Sequence, residues 1–155
     1  MKFEISNLNA LPDFKSTVAD RVWHAWWKPH GHLFQVVMDF FDDLPSAREI
    51  PFCLVAHDDA TYIGSVLGIA SDLDDRPELS PWVAALWVEP EFRRQGAAAA
   101  LIKAALDEVF KLGHEVAFLC ATAEKRAMYQ RQGWKLVEEN VGEAELDVFE
   151  FVSNH

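Results

Sequence analysis

The chain has 155 residues, half of them apolar, and a formal net charge of −11 at pH 7. A chain of this length typically buries about 70% of the surface that its unfolded state exposes, so we expect a single domain over residues 1–155. The negative charge disfavours nucleic-acid binding, and no run resembles a membrane span or a signal peptide; a soluble, cytoplasmic protein is therefore expected.

The N-terminal part of the chain is predicted to be helical. Residues 17–28 form an amphipathic pattern, with Ser16 or Thr17 as the N-cap. A break at Pro29 ends this helix, and a second helix is predicted over 32–43. The tryptophans of the first helix are expected to belong to the core rather than to a ligand site; they are Trp23, Trp26 and Trp27.

A β-hairpin and a polar loop follow these helices. The run from Ile50 to His57 is apolar and ends at a turn signal, Asp58-Asp59, and the run from Tyr62 to Ala70 is the second strand. The loop 72–81 is polar and contains two prolines.

Both cysteines lie in apolar runs. Cys53 is in the first strand of the hairpin, and Cys120 is in a later apolar segment. Buried free thiols are expected, because disulfides are rare in the cytosol. Two cysteines without clustered histidines also argue against a structural zinc site, and we expect no metal.

The second half of the chain alternates strands and helices. The run from Trp82 to Val88 is apolar throughout, as expected for a strand buried on both faces. Residues 96–112 show the clearest helical pattern, which Gly113 ends. The remaining predicted elements are a strand over 114–121, a short helix over 124–132, and strands over about 134–140 and 145–152. This order predicts an α/β domain with a mixed sheet.

The most informative motif is Trp87-Val-Glu-Pro-Glu-Phe-Arg-Arg-Gln-Gly-Ala-Ala-Ala-Ala-Leu101, in which a strand leads through a tight turn into a helix. The first N–H groups of a helix have no intrahelical partner and the helix dipole adds positive charge there, so the turn is predicted to bind an anion. Gly96 lets a phosphate approach the backbone. Two other nucleotide-binding motifs fit this run poorly. A P-loop would need Gly-Lys-Ser/Thr, which is absent, and a dinucleotide fingerprint would need three glycines where the run has one.

These residues resemble the GNAT superfamily of N-acetyltransferases, whose phosphate loop reads Gln/Arg-x-x-Gly-x-Gly/Ala. The run Arg93-Arg94-Gln95-Gly96-Ala97-Ala98 is similar to this loop. The segment from Ala127 to Lys135 is similar to the family's Tyr-x-x-x-Gly-Phe segment, with Trp134 in place of phenylalanine. The resemblance covers about residues 50–140. It implies an acyl-CoA N-acyltransferase fold with a mostly antiparallel sheet whose central strands splay apart.

The resemblance also implies roles for individual residues. The backbone of Leu86, Trp87 and Val88 is expected to contact the pantetheine arm of acetyl-CoA. The pyrophosphate is expected to bind the loop formed by Arg93, Arg94, Gln95, Gly96, Ala97 and Ala98. Tyr129 is expected to be the general acid for the departing thiolate, the alternative being a packed core aromatic. The family's asparagine before this tyrosine has no counterpart in Thr122 to Arg126.

Together, motif and resemblance predict transfer of an acetyl group from acetyl-CoA to a primary amine of a small molecule, by direct attack in a ternary complex. A primary amine has a pKa near ~10.4 and must lose a proton before it attacks. Glu89 could accept that proton, directly or through water, or could be a solvated charge. Two other hypotheses remain open: a non-catalytic acyl-CoA-binding sensor or regulatory module, and a small interaction domain that binds no CoA.

Charge is distributed unevenly along the chain, which bears on the acceptor. Between Arg93 and Lys135 the net charge is +4, which suits a ligand with several phosphate charges, and the rest of the chain is strongly acidic. Acidic residues cluster in the loop before the central strand and in the second predicted helix: Asp72, Asp74, Asp75, Glu78, Asp39, Asp42 and Asp43. Walls of one charge sign concentrate the opposite ion, so a cationic amine is predicted.

The end of the chain suggests an oligomer. The predicted C-terminal hairpin is rich in apolar residues, and such a hairpin could extend a sheet across a homodimer. These residues are Val148, Phe149, Phe151 and Val152.

Overall fold

The computed structural model describes residues 2–154 and contains a sheet with helices on both faces. The four helices of these residues are α1 (Lys15–Val22), α2 (Phe34–Asp42), α3 (Ala97–Lys111) and α4 (Arg126–Arg131). The seven strands of the same residues are β1 (Glu4–Asn7), β2 (Phe52–Asp58), β3 (Thr61–Ile69), β4 (Trp82–Val88), β5 (Val116–Ala121), β6 (Lys135–Val141) and β7 (Leu146–Val152). No helix within residues 2–154 is long and apolar enough to cross a membrane.

The strands form one mixed sheet in the order β1-β2-β3-β4-β5-β7-β6. All neighbours are antiparallel except β4 and β5, which are parallel. This arrangement confirms the predicted mixed, mostly antiparallel sheet. The predicted elements after residue 50 are all present with boundaries shifted by a few residues. Strand β1 was not predicted, because its four residues are too few to show a clear alternation.

The two parallel strands separate soon after they meet. Trp82, at the start of β4, pairs with Phe118 in the middle of β5, and the strands diverge beyond that pair. A register shift between Ser65 and Leu67 of β3 faces the middle of β4, where Ala85 has a φ of 52°. A β-bulge of this kind increases the local twist of a strand. The bulge therefore accounts for the opening between the carboxyl ends of β4 and β5.

The sheet separates two packed layers. On one face α3 and α4 cover a core that includes Leu54, Leu101 and Phe149. On the other face α1 and α2 pack against alternate residues of the same strands, such as Cys53 and Val55. The loop 70–81 lies on this second face as well, over Trp82, Phe118, Val141 and Val148. The opening between β4 and β5 thus connects the two faces.

The first helix differs from its prediction in two ways. Helix α1 begins at Lys15 and its N-cap residue is Phe14, so Ser16 and Thr17 lie in the first turn and cap nothing. The predicted helix also changes to a π-helical turn over Trp23–Trp27. A π-turn is wider than an α-turn, so residues within it leave the apolar stripe of the α-helical pattern. Trp26 and Trp27 are accordingly 40% and 39% exposed, and the prediction that they belong to the core is wrong.

Burial revises the interpretation of the C-terminal hairpin and bears out the predicted burial of Cys53 but not that of Cys120. Val148 and Phe149, which suggested a dimer interface, are fully buried, because β7 lies inside the sheet between β5 and β6. Cys53 is buried and Cys120 is half-buried. Both thiols are free, as predicted.

Close packing at Gly64 should make this position sensitive to an added methyl group. A Cβ at Gly64 would lie 2.5 Å from the carbonyl oxygen of Trp87 and 3.2 Å from Cδ1 of Leu101. A backbone atom cannot move aside without shifting β4, so Gly64→Ala should lower the free energy of unfolding by about 1–3 kcal/mol. Urea denaturation measures this change. A loss below about 0.5 kcal/mol would show that β3 and β4 adjust without strain.

Candidate active site

The turn between β4 and α3 presents a series of unpaired backbone N–H groups. The Arg93 N–H donates to Pro90, and the next backbone donor in the chain is the Ala100 N–H, which donates to Gly96. The N–H groups at 94–99 donate to no acceptor among residues 2–154. Arg94 has a φ of 65° and Gly96 a φ of 92°. Positive φ values in such a turn direct successive N–H groups into one concavity, which is an anion site.

The surface of this turn is open for a ligand to approach. A Cβ placed on Gly96 would meet no atom within 4 Å. The side chain of Ala97 is instead buried against the core, so the first turn of α3 exposes its backbone on one side and packs on the other. The predicted phosphate loop therefore has the shape and polarity that an anion requires.

Arg93 and Arg94 differ in where their side chains lie. The Nε of Arg93 donates a hydrogen bond of 2.8 Å to the Val88 carbonyl oxygen, and its guanidinium lies 4.8 Å from the centre of the Trp87 ring. The Arg93 guanidinium is therefore directed toward the end of β4 and away from the loop. Arg94 is exposed and forms no ion pair among residues 2–154, so its charge is available at the turn.

The second half of the site is the opening between β4 and β5. Strand β4 is buried at its start but Ala85, Leu86 and Trp87 are half-buried, because no strand covers their edge on the β5 side. Trp87 Nε1 is the one buried side-chain nitrogen or oxygen in residues 2–154 that has no hydrogen-bond partner. The predicted pantetheine contacts at Leu86, Trp87 and Val88 thus lie along an edge that can accept an extended ligand.

Tyr129, on α4, packs in the core on the α3 side of the sheet. It is 7% exposed and its ring centre is 5.6 Å from that of Phe149. Its hydroxyl makes no hydrogen bond with any of residues 2–154. Burial raises the pKa of Tyr129 above its ordinary value, and interaction with Cys120 raises it further. The hydroxyl is therefore a neutral, unengaged proton donor at physiological pH.

Glu89, the candidate base, has a partner that the sequence did not indicate. Its Oε1 accepts a hydrogen bond of 2.5 Å from Nε of Arg21, and the Glu89 side chain is 14% exposed. Arg21 also contacts its neighbour Asp20. The ion pair joins α1 to the end of β4. A partner 68 residues away leaves no sequence pattern, which is why Arg21 was missed.

A further pair of groups lies on the face opposite α3. Cys120 Sγ donates to Oδ2 of Asp72 at 3.4 Å, which brings the loop 70–81 to the last part of β5. Burial raises the pKa of the Cys120 thiol, and the charge of Asp72 and its hydrogen bond raise it further. The sequence marked Cys120 as a buried thiol and Asp72 as one acid among several, and nothing in it joined them.

The sequence that contains these features matches a known protein family. The family model described as Acetyltransferase (GNAT) family matches residues 18–134, well over half of the chain. The chain belongs to the GNAT acetyltransferase family. This membership confirms the resemblance inferred from the phosphate loop and the prediction that the protein is an acyltransferase.

Solved structures of GNAT acetyltransferases share the fold along the whole chain. An aminoglycoside 6'-N-acetyltransferase complexed with coenzyme A is 15% identical, with a TM-score of 0.72 over 96% of each chain. A GNAT acetyltransferase from Streptococcus pneumoniae is 12% identical, with a TM-score of 0.71 over 98% of this chain and 100% of that one. The Salmonella typhimurium protein yncA, with its cofactor acetyl-CoA, is 14% identical, with a TM-score of 0.69 over 100% and 95%.

At sequence identities of 12–15%, the structural similarity establishes the fold alone. No curated protein sequence matches this chain.

Proposed function

We propose that this GNAT protein transfers the acetyl group of acetyl-CoA to a primary amine by direct attack in a ternary complex. The observation that carries the proposal is the series of unpaired N–H groups at 94–99, next to the opening between β4 and β5. The Tyr129 hydroxyl supports it, since it makes no hydrogen bond within residues 2–154. Two structural neighbours that contain coenzyme A or acetyl-CoA support the same cofactor.

The residues present fit acetyl-CoA. Backbone N–H groups of Gln95, Gly96, Ala97 and Ala98 would hold the pyrophosphate, with the Arg94 side chain adding charge. The Arg93 side chain would instead support β4, where the backbone of Leu86, Trp87 and Val88 would bind the pantetheine arm. Bound acetyl-CoA supplies an acyl group already activated as a thioester.

Direct transfer requires no covalent intermediate on the protein. The amine nitrogen forms a bond to the acyl carbon, the carbon–sulfur bond breaks, and the departing sulfur takes a proton from the Tyr129 hydroxyl. One proton of the ammonium is lost before attack and another afterwards, the latter restoring Tyr129. Burial raises the pKa of both Cys53 and Cys120, so neither thiol is ionised enough to serve as a nucleophile.

The decisive experiment mixes the protein with acetyl-CoA and a panel of primary amines and follows the release of free thiol. Release that depends on the amine, with an N-acetylated product by mass spectrometry, is the expected result. Binding of CoA without thiol release for any amine would favour the sensor hypothesis. Absence of any CoA-induced rise in melting temperature would favour the interaction domain.

A cationic acceptor is the proposed substrate class. The loop 70–81 exposes Asp72, Asp74, Asp75 and Glu78 on the face opposite α3. The one cation of this loop, Arg76, is paired with Glu138 of β6 and interacts with Asp75 and Glu78, so the loop keeps a net negative charge. A wall with a net negative charge concentrates cations and speeds their encounter.

The expected result is a kcat/KM about 10-fold or more higher for a spermidine-like amine than for a glutamate-like amine at low salt, since charged walls change encounter rates by roughly 10–10³-fold. This preference should shrink at high salt, because screening acts within about 10 Å at 0.1 M. The double variant Asp74→Asn, Glu78→Gln should lower the preference without changing the affinity for CoA. A preference for the anionic amine would contradict the proposed class.

A further inference from the structure

Asp72 differs from the other acids of its loop because it is fixed to the sheet. Cys120 holds one of its carboxylate oxygens, Oδ2, at 3.4 Å, and Oδ1 makes no hydrogen bond or ion pair within residues 2–154. Cys120 comes two residues after Phe118, at which β4 and β5 last pair. The Asp72 carboxylate therefore lies beside the part of β5 that borders the opening, on the face opposite α3.

The loop that carries Asp72 is itself held in place. Its Leu73 and Leu79 pack against Trp82 and Phe118, and the indole Nε1 of Trp82 donates to the Leu79 carbonyl oxygen at 2.7 Å. Farther along, Arg76 Nε donates to Glu138 at 2.8 Å. These contacts place the Asp72 side chain in a fixed position while solvent still reaches it.

Two further titratable groups share this location. The Cys120 thiol, which is hydrogen-bonded to Asp72, is also near enough to Tyr129 to raise the pKa of that hydroxyl. Tyr129 is 7% exposed, and its hydroxyl has no hydrogen-bond partner in the described chain. A ligand that occupies the opening can therefore contact Tyr129 from one face and Asp72 from the other.

We propose that Asp72 is the carboxylate that binds the acceptor ammonium and takes its proton, and that the Cys120 thiol positions Asp72 for this step. The inference rests on the proposed function. In the step, one N–H bond of R-NH₃⁺ breaks, its electron pair stays on nitrogen, and the proton moves to Oδ1 of Asp72. The neutral amine then attacks the thioester, and Asp72 later releases its proton to solvent.

The surroundings of Asp72 favour this role over Glu89. Although Asp72 as a residue is exposed, partial burial of its carboxylate raises its pKa; the Cys120 hydrogen bond opposes the rise, and the charge of Asp74 adds to it. A carboxylate with a raised pKa is a stronger proton acceptor. Glu89, by contrast, already gives Oε1 to Arg21 and is largely shielded from solvent.

The kinetic test compares three variants with the wild type, using a spermidine-like amine. Asp72→Asn should lower kcat/KM by about 10²–10⁴-fold, the range for loss of a general base, and leave the CoA affinity measured by calorimetry unchanged. Glu78→Gln removes the same charge from the same loop and should change kcat/KM by only about 3-fold, a loss of weak steering. The rival base is tested by Glu89→Gln.

The positioning role of Cys120 predicts a change in pH dependence. A base acts when it is deprotonated, so activity is present above its pKa and is lost as the pH falls through it. The thiol hydrogen bond lowers the pKa of Asp72, so Cys120→Ala should move the acidic limb of the kcat/KM profile to higher pH. Cys120→Ser retains a hydrogen-bond donor to Asp72 and should return the acidic limb of the kcat/KM profile to its wild-type position.

A second readout needs neither acetyl-CoA nor turnover. Titration of ¹³C-labelled aspartate carboxyls in the free protein identifies the Asp72 signal by its loss in Asp72→Asn. We expect its midpoint above that of an ordinary aspartate, about 3.9, and higher still in Cys120→Ala.

The outcomes separate the two proposals. If the wild type transfers acetyl groups and Asp72→Asn does so equally well, or if only Glu89→Gln loses activity, the assignment of Asp72 is wrong. A normal Asp72 midpoint that is insensitive to Cys120→Ala also overturns it. If the wild type transfers to no amine, the proposed function fails and the assignment fails with it.

Discussion

Replacing Gly96 by aspartate is expected to weaken the affinity for acetyl-CoA by about 10²-fold or more, because two unit charges about 4 Å apart repel by ~4 kcal/mol at an effective dielectric constant of 20. The structure leaves space for the new side chain, since no atom lies within 4 Å of a Cβ at this position. The carboxylate would therefore project from the turn at which the N–H groups of 94–99 are unpaired. Calorimetry with CoA measures the loss directly.

The matched control is Gly96→Asn, which has the same shape and the same backbone strain at a φ of 92° but no charge. The aspartate variant should bind at least about 10-fold more weakly than the asparagine variant, a factor that corresponds to 1.4 kcal/mol. Circular dichroism and thermal unfolding establish that both variants are folded. Wild-type affinity in a folded aspartate variant would place the pyrophosphate elsewhere.

Removal of the Tyr129 hydroxyl is expected to lower kcat by about 10²–10⁴-fold, the usual contribution of general acid catalysis. Tyr129→Phe keeps the ring that packs on Phe149, and the hydroxyl has no hydrogen bond within residues 2–154 to lose, so stability should be unaffected. The affinity for CoA should also change little. Single-turnover measurements isolate the chemical step from product release.

The matched control for this experiment is Tyr62→Phe, since Tyr62 is the other tyrosine of the sequence and is also buried. Its hydroxyl lies 2.7 Å from Ser65 Oγ, and its loss should cost about 1 kcal/mol of stability. We expect kcat of this control to remain near the wild-type value. If Tyr129→Phe keeps its full single-turnover rate, Tyr129 is a core aromatic and the acid is another group or water.

Much of the fold was predictable because its signals are local. The helix α3 shows an apolar stripe at helical spacing, and β4 shows an uninterrupted apolar run. The turn before α3 was predictable for the same reason, as a strand, a glycine turn and a helix start are consecutive in the chain. The misplaced N-cap of α1 and the exposed Trp26 and Trp27 show the limit of this approach, since a π-turn has no distinctive residue pattern.

The partners of the charged side chains were decided by tertiary structure alone. The Arg93 guanidinium lies against Trp87 and Val88, Glu89 is paired with Arg21, and Asp72 is held by Cys120. The last two contacts join residues 68 and 48 positions apart, which no local spacing specifies.

The sequence by itself determined where backbone N–H groups are left without an acceptor, because a strand, a glycine turn and a helix start suffice for that. The tertiary structure decided which loop carboxylate is held against β5. That choice depends on how the bulged β4 diverges from β5 and on how the loop 70–81 packs across the sheet. Long, flexible charged side chains take whichever partner the fold brings near, whereas the N–H groups of a helix start are oriented by the helix itself.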